Sequence, residues 1–148
     1  MHGPCACRGT DGAVATMDTV ATGPISMQEN QRLFKTTNWG STPLGPTAGW
    51  PTEMRAVIDT MLASGFPVST AWGPQLHQIY DDAYNPMNGD KHPAAFGQPA
   101  REIWPEIWGF LERSLQHVWD IGDPLTFHDT LLALAEHGAP EECWFDFS

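Results

Sequence analysis

Hydrophobic positions in residues 51–64 recur with the period of a helix. Met54, Val57, Ile58, Met61 and Leu62 fall at i, i+3, i+4, i+7 and i+8, with Glu53, Arg55 and Asp59 opposite. Pro51 suits a first helical turn and Gly65 the position past the end, so the pattern predicts a helix over 51–64. Alternation then replaces the helical period. Residues Phe66 to Trp72 are rich in β-branched and aromatic side chains, Gly73-Pro74 marks a turn, and Leu76 to Tyr80 reads as the returning strand of a hairpin. A second helical stripe comprises Ile107, Trp108, Leu111, Leu115, Val118 and Trp119. It predicts a helix over 105–120, opened by Pro105 and Glu106 and broken at Gly122-Asp123-Pro124. Residues 125–134 read as a strand, 137–140 as a turn and 142–147 as a last strand.

Between these elements the chain is punctuated. Residues 81–105 hold Pro86, Gly89, Pro93, Gly97 and Pro99, which leave room only for short helical turns. Asp81-Asp82 is placed to cap the first of them, and Glu141-Glu142 reads as a solvated turn. Residues 36–50 form a loop rich in Gly, Pro and Thr, with Trp39, Leu44 and Trp50 as anchors. Residues 1–26 lack any period, and 27–35 have room for one or two helical turns. The domain expectation is therefore a disordered leader over 1–35 and one folded domain over 36–148. The element order gives an α+β fold.

Composition narrows the function. The net charge is −11, and residues 51–148, with 15 acidic and 4 basic side chains, carry all of it. So acidic a body repels phosphate backbones, which argues against nucleic-acid binding. It offers no basic stripe to an anionic membrane, and no apolar run approaches a membrane span. Three cysteines, two of them close together near the N-terminus, make no disulfide framework and favour a reducing, cytoplasmic setting.

Three stretches carry a family resemblance. They are Asn38-Trp-Gly-Ser-Thr-Pro-Leu-Gly-Pro46, Phe66-Pro-Val-Ser-Thr-Ala-Trp-Gly-Pro-Gln-Leu-His-Gln-Ile-Tyr-Asp-Asp-Ala-Tyr84, and Gly89-Asp-Lys-His-Pro-Ala-Ala-Phe-Gly-Gln-Pro-Ala-Arg-Glu-Ile-Trp-Pro-Glu-Ile-Trp108. In this order and spacing they resemble the N-terminal PAS domains of bacterial sensor and hybrid histidine kinases, over residues 36–148. The resemblance implies a PAS-like antiparallel sheet packed by helices and a role as signal input to a downstream kinase. It also implies a homodimer formed through the parent protein. A PAS module attached to another output, such as a cyclic-dinucleotide cyclase or a transcription regulator, is the alternative.

Two departures stand out. Asp81 stands where the family has Asn, which donates as well as accepts hydrogen bonds. The chain also stops where a PAS domain's fourth strand finishes, so the fifth strand, which lies between the first and fourth, is expected to be missing. Two hairpins left with open edges are expected to be poorly stable or to self-associate.

The resemblance further implies a cavity between sheet and helices. Val68, Trp72, Ile79, Tyr84, Trp104, Trp108, Leu111 and Phe127 are the residues that would line it for a small-molecule ligand, or that simply fill the core. No cofactor is identified. Covalent flavin chemistry needs a helical reactive cysteine, and Cys143 falls on a strand. Haem ligation would rest on His117 alone, while His77, His92 and His128 are scattered. Cys5-Ala-Cys7 with His2 lacks the second ligand pair of a closed zinc site. Without a nucleophile triad, a phosphate-cradling loop, a phospho-accepting helix or ATP-binding boxes, the chain is not expected to be an enzyme by itself.

Overall fold

The computed structural model describes residues 6–7, 29–136 and 139–148. Its elements are β1 (Ala6–Cys7), α1 (Glu29–Thr36), α2 (Thr52–Leu62), β2 (Ser69–Trp72), β3 (His77–Tyr80), α3 (Asn85–Asn88), α4 (Ala100–Ile103), α5 (Trp108–Ile121), β4 (Phe127–Glu136) and β5 (Ala139–Phe147). Helices mix with two separate antiparallel sheets, β2-β3 and β1-β5-β4, an α+β arrangement. One incomplete sheet was the expectation, and two form. The chain divides into two compact bodies, residues 21–103 and residues 104–148 with 1–20.

In the first body, α2 forms where its stripe predicts. Met54, Ile58, Met61 and Leu62 are buried, whereas Val57 of the same stripe is 46% exposed. The hairpin β2–β3 pairs Ser69 with Tyr80, Thr70 with Ile79, Ala71 with Gln78 and Trp72 with His77. Strict alternation would bury one face of β3, yet all four of its residues are buried. One face carries Thr70 and Ile79, where the Thr70 hydroxyl reaches Met61 Sδ of α2 at 3.6 Å. On the other face Tyr80 packs against Tyr84, His92 and Phe96.

The loop over 37–50 is held by its tryptophans. Trp39 Nε1 donates to Phe34 O at 2.8 Å, and Trp50 Nε1 donates to Leu44 O and Gly45 O at 2.9 Å each. Their rings pack edge to face with centroids 5.2 Å apart, and Phe96 closes on Trp39 at 6.2 Å. Gly97, at φ +77°, lies under Trp39. A Cβ there would stand 3.0 Å from the indole, so close approach and left-handed backbone both require glycine.

The leader expected over 1–35 falls mostly outside the described residues. The two described parts of it are regular: β1, and α1. The N-terminus of α1 is capped from far along the chain, because the Asp82 carboxylate accepts from Asn30 N at 2.7 Å and Glu29 N at 3.3 Å.

In the second body, α5 ends at Gly122 in the left-handed conformation, whose N–H donates to Val118 O at 2.8 Å. None of its residues is buried. This corrects the core face expected for it. Ile107, Trp108, Leu111 and Leu115 are half-buried, while Val118 is 39% and Trp119 84% exposed. The contact that fixes the helix is Phe110, outside the predicted stripe, against Phe127 and Phe147, which stack at 4.8 Å. Register puts Leu131 opposite Trp144 and Leu132 opposite Cys143, with an irregularity between Phe127 and Thr130. Cys143 and Phe145 are buried, whereas Leu131 and Trp144 on the other face are 43% and 45% exposed.

Candidate functional site

The two edges of the β2–β3 hairpin differ, and the difference follows from hydrogen bonding. Antiparallel pairs alternate between those that exchange backbone bonds and those whose N–H and C=O groups point outward. On β3, Gln78 points outward and is satisfied. Its N–H donates to Gln98 O at 2.9 Å, and its carbonyl accepts from Gly97 N at 2.8 Å. Ala100 N donates to Leu76 O at 3.0 Å, and Asn30 Nδ2 donates to Tyr80 O at 3.0 Å. The outer edge of β3 is therefore sealed. On β2 the residues opposite Gln78 and Tyr80 are Ala71 and Ser69, so their backbone groups point the other way. Among the described residues no strand pairs with that edge.

Beside the open edge runs an apolar groove of about 420 Å³ between α2 and β2. It is lined by Ala56, Val57, Thr60, Met61, Ser64, Val68 and Thr70. Val57, at the side of an otherwise buried stripe, is exposed along this groove. Groove and open edge share Val68 and Thr70, so a chain segment paired to β2 would lay alternate side chains into the groove.

Behind the sealed edge lies a polar cluster that the sequence did not announce. Asn30 is fully buried, and its Nδ2 reaches Asn85 Oδ1 at 2.7 Å as well as Tyr80 O. A 3.0 Å hydrogen bond joins the Tyr80 hydroxyl to His92 Nδ1, and His92 Nε2 lies 3.4 Å from Glu29 Oε1. This carboxylate–imidazole–phenol row has the components of a proton relay, but burial pushes the Tyr80 hydroxyl well above the ordinary phenol range. Its ring is wholly buried among Tyr84, His92 and Phe96. The row is built to hold α1 onto β3.

Asp81 is also wholly buried. Its Oδ1 accepts from Val68 N at 3.0 Å and from Tyr84 N at 3.1 Å, capping the short turn as its position predicts. Oδ2 has no hydrogen-bond partner. Burial raises the carboxyl above its usual range, outweighing the backbone N–H groups that lower it. The carboxyl thus sits where only its acceptor function is used.

The eight residues proposed for a ligand cavity are distributed as follows. Val68 lines the groove. Ile79 is wholly buried opposite Thr70, and Trp72 Nε1 donates to Thr70 Oγ1 at 2.9 Å. Tyr84 lies on the opposite face, its hydroxyl against Ser69 and Gln78, so these four do not line one cavity. In the other body Trp104 is buried, Trp108 and Leu111 are half-buried on α5, and Phe127 belongs to the three-ring cluster with Phe110 and Phe147.

Among the described residues no three His, Cys, Asp or Glu side chains gather into a metal-binding group. His77 meets Gly97 O at 2.8 Å, His128 lies 3.6 Å from Asp146, and His117 is exposed on α5. No helix among them is long and apolar enough to cross a membrane. No protein-family model, curated protein or solved structure matches the chain.

Proposed function

We propose that this chain is a PAS-type signal-input module of a bacterial two-component sensor histidine kinase, working in the cytoplasm. It passes a stimulus to a kinase module outside these residues and is not itself the catalyst. The observation that carries this reading is the open edge of β2 beside an apolar groove. A PAS sheet gives its central strand two neighbours, the first and the fourth strands, here β2 and β5. Among the described residues the outer edge of β2 has no strand partner, and that of β5 is paired with the two residues of β1. The order of hairpin, short helices, long helix and second hairpin also agrees with the PAS order. A strand with alternating apolar residues would satisfy the backbone of Ser69 and Ala71 and fill the groove over Val57, Met61 and Val68. A shift in a strand paired to β2 would transmit the stimulus.

The test is to read the gene past the codon for Ser148. An alternating apolar strand, then a helical linker with a phospho-accepting histidine and ATP-binding boxes, is the expected result. A stop codon directly after Ser148 would overturn the kinase-input reading.

A further inference from the structure

The open edge of β2 favours one pairing register, and what its flanking residues lack decides which. Val68 O accepts from Asp81 N at 3.1 Å, so Val68, Thr70 and Trp72 turn their backbone groups toward β3. Ser69 and Ala71 turn two N–H and two C=O groups outward. Their flanks offer less. Pro67 has no N–H, and Gly73, at φ +73°, turns out of the strand. Antiparallel pairing that sets Ser69 of one copy opposite Ala71 of another uses all four outward groups of each copy. Registers that set Ser69 opposite Ser69, or Ala71 opposite Ala71, draw their remaining bonds from Pro67 or Gly73.

The side chains agree with that register. It is two-fold symmetric about Thr70, so Val68 of one copy stands opposite Trp72 of the other. Val68 lines the groove beside α2, and Trp72 lies on the same face, its Nε1 donating to Thr70 Oγ1 at 2.9 Å. Each indole thus lands beside Val68 at the other copy's groove. On the opposite face Ser69 meets the exposed Ala71, and both side chains are small. Residues 60–80 contain no Lys, Arg, Asp or Glu in a chain of net charge −11, so the pairing opposes no like charges. The charged side chains that commonly block an open edge are missing from β2.

We propose that β2 is a self-association edge, at which two copies of this chain pair their β2 strands antiparallel about Thr70. The product is a four-stranded sheet in the order β3-β2-β2-β3. The input-module reading gives the same edge to a central strand, but the self-association does not rest on that reading. It needs the open edge alone, and a central strand and a second copy exclude each other there.

The experiment uses the whole 148-residue chain. Its mass is followed by light scattering up to about 1 mM, because two four-residue strands make a small interface. The mass is expected to rise from one chain toward two, and amide exchange at Ser69 and Ala71 to slow as it rises. A mixed sample of isotope-labelled and unlabelled chains is expected to show a contact between Val68 Hα and Trp72 Hα of different copies. Within one chain four residues of strand hold those atoms about 13 Å apart, so the signal reports pairing. Ala71→Lys puts two charges diagonally across the two-fold axis without removing a bond to β3. It is expected to keep Gln78 protected and the chain monomeric at about 1 mM. A dimer that survives Ala71→Lys, or association without the Val68–Trp72 contact, would overturn the proposal. So would a parent chain still monomeric at about 1 mM, and fast exchange at Ser69 and Ala71 in that monomer would leave the input-module reading standing.

Discussion

The molecule builds two antiparallel hairpins in different ways. The β2–β3 hairpin has strands of four residues, yet Ile79 and Tyr80 are wholly buried. Helix α2 covers one face, and Tyr84, His92 and Phe96 cover the other. The β4–β5 hairpin has strands of ten and nine residues, but Leu131 and Trp144 stand exposed on its outer face. The longer ladder has more backbone pairs and less of its surface covered. A backbone hydrogen bond contributes only about 1 kcal/mol net because water competes for both groups, whereas burying a large apolar side chain contributes about 1.5–3 kcal/mol. The short hairpin is therefore expected to be the more stable one, and strand length is a poor guide to stability.

Apolar truncation is the strongest way to break this comparison. Ile79→Ala is expected to cost about 2–5 kcal/mol, since it empties a fully enclosed site. Leu131→Ala is expected to stay within about 0.5 kcal/mol. Urea unfolding followed by tryptophan fluorescence measures both, and comparable losses would remove the distinction.

Removing the amide that seals β3 is the next largest change. Asn30→Ala takes donors from Tyr80 O and Asn85 Oδ1, and the exposed carbonyl lies in a buried setting. A loss of about 1–3 kcal/mol is expected, with faster amide exchange in α1. Unchanged exchange would mean that α1 is held by other contacts.

The smallest effect carries a sign. The folded state raises the Asp81 carboxyl above its unfolded value, so the folded chain binds that proton more readily than the unfolded chain does. Its stabilising contribution is complete below the unfolded carboxyl value, about 3.9, and is lost as pH rises through the folded one. Asp81→Asn keeps the acceptor for Val68 N and Tyr84 N without the buried charge. It should raise the urea midpoint at neutral pH, with the gap closing in acid. Asp81→Ala loses the cap and should cost about 1–2 kcal/mol. An Asn variant less stable than the parent at neutral pH would refute this assignment.

What was legible in the sequence was what repeats locally. The stripe Met54–Leu62 and the turn Gly73-Pro74 located α2 and the first hairpin within a few residues. Asp81 was readable as a cap because its partner Tyr84 is three residues away. Asn30 was not readable as a buried anchor, because Tyr80, Asp82 and Asn85 lie 50–55 residues further on. Trp119 fits a helical stripe perfectly well and is still 84% exposed, because periodicity reports a face without reporting what covers it. The four cavity candidates of the first body came from the cavity that the resemblance implies, which could not tell that Tyr84 and Ile79 lie on opposite faces of one hairpin. The open edge of β2 had no local signal either. It emerges only once Gly97–Ala100 is seen to cover the other side.

Residue-resolved amide exchange across β2 and β3 tests the central claim most directly. The account predicts slow exchange at Gln78 and nearly unprotected exchange at Ser69 and Ala71 in the 1–148 monomer. The proposed input-module reading further predicts that both become protected in a longer chain that supplies a central strand. Equal protection of Ser69, Ala71 and Gln78 in the 1–148 monomer would contradict the open edge, and with it the input-module reading that places a central strand there.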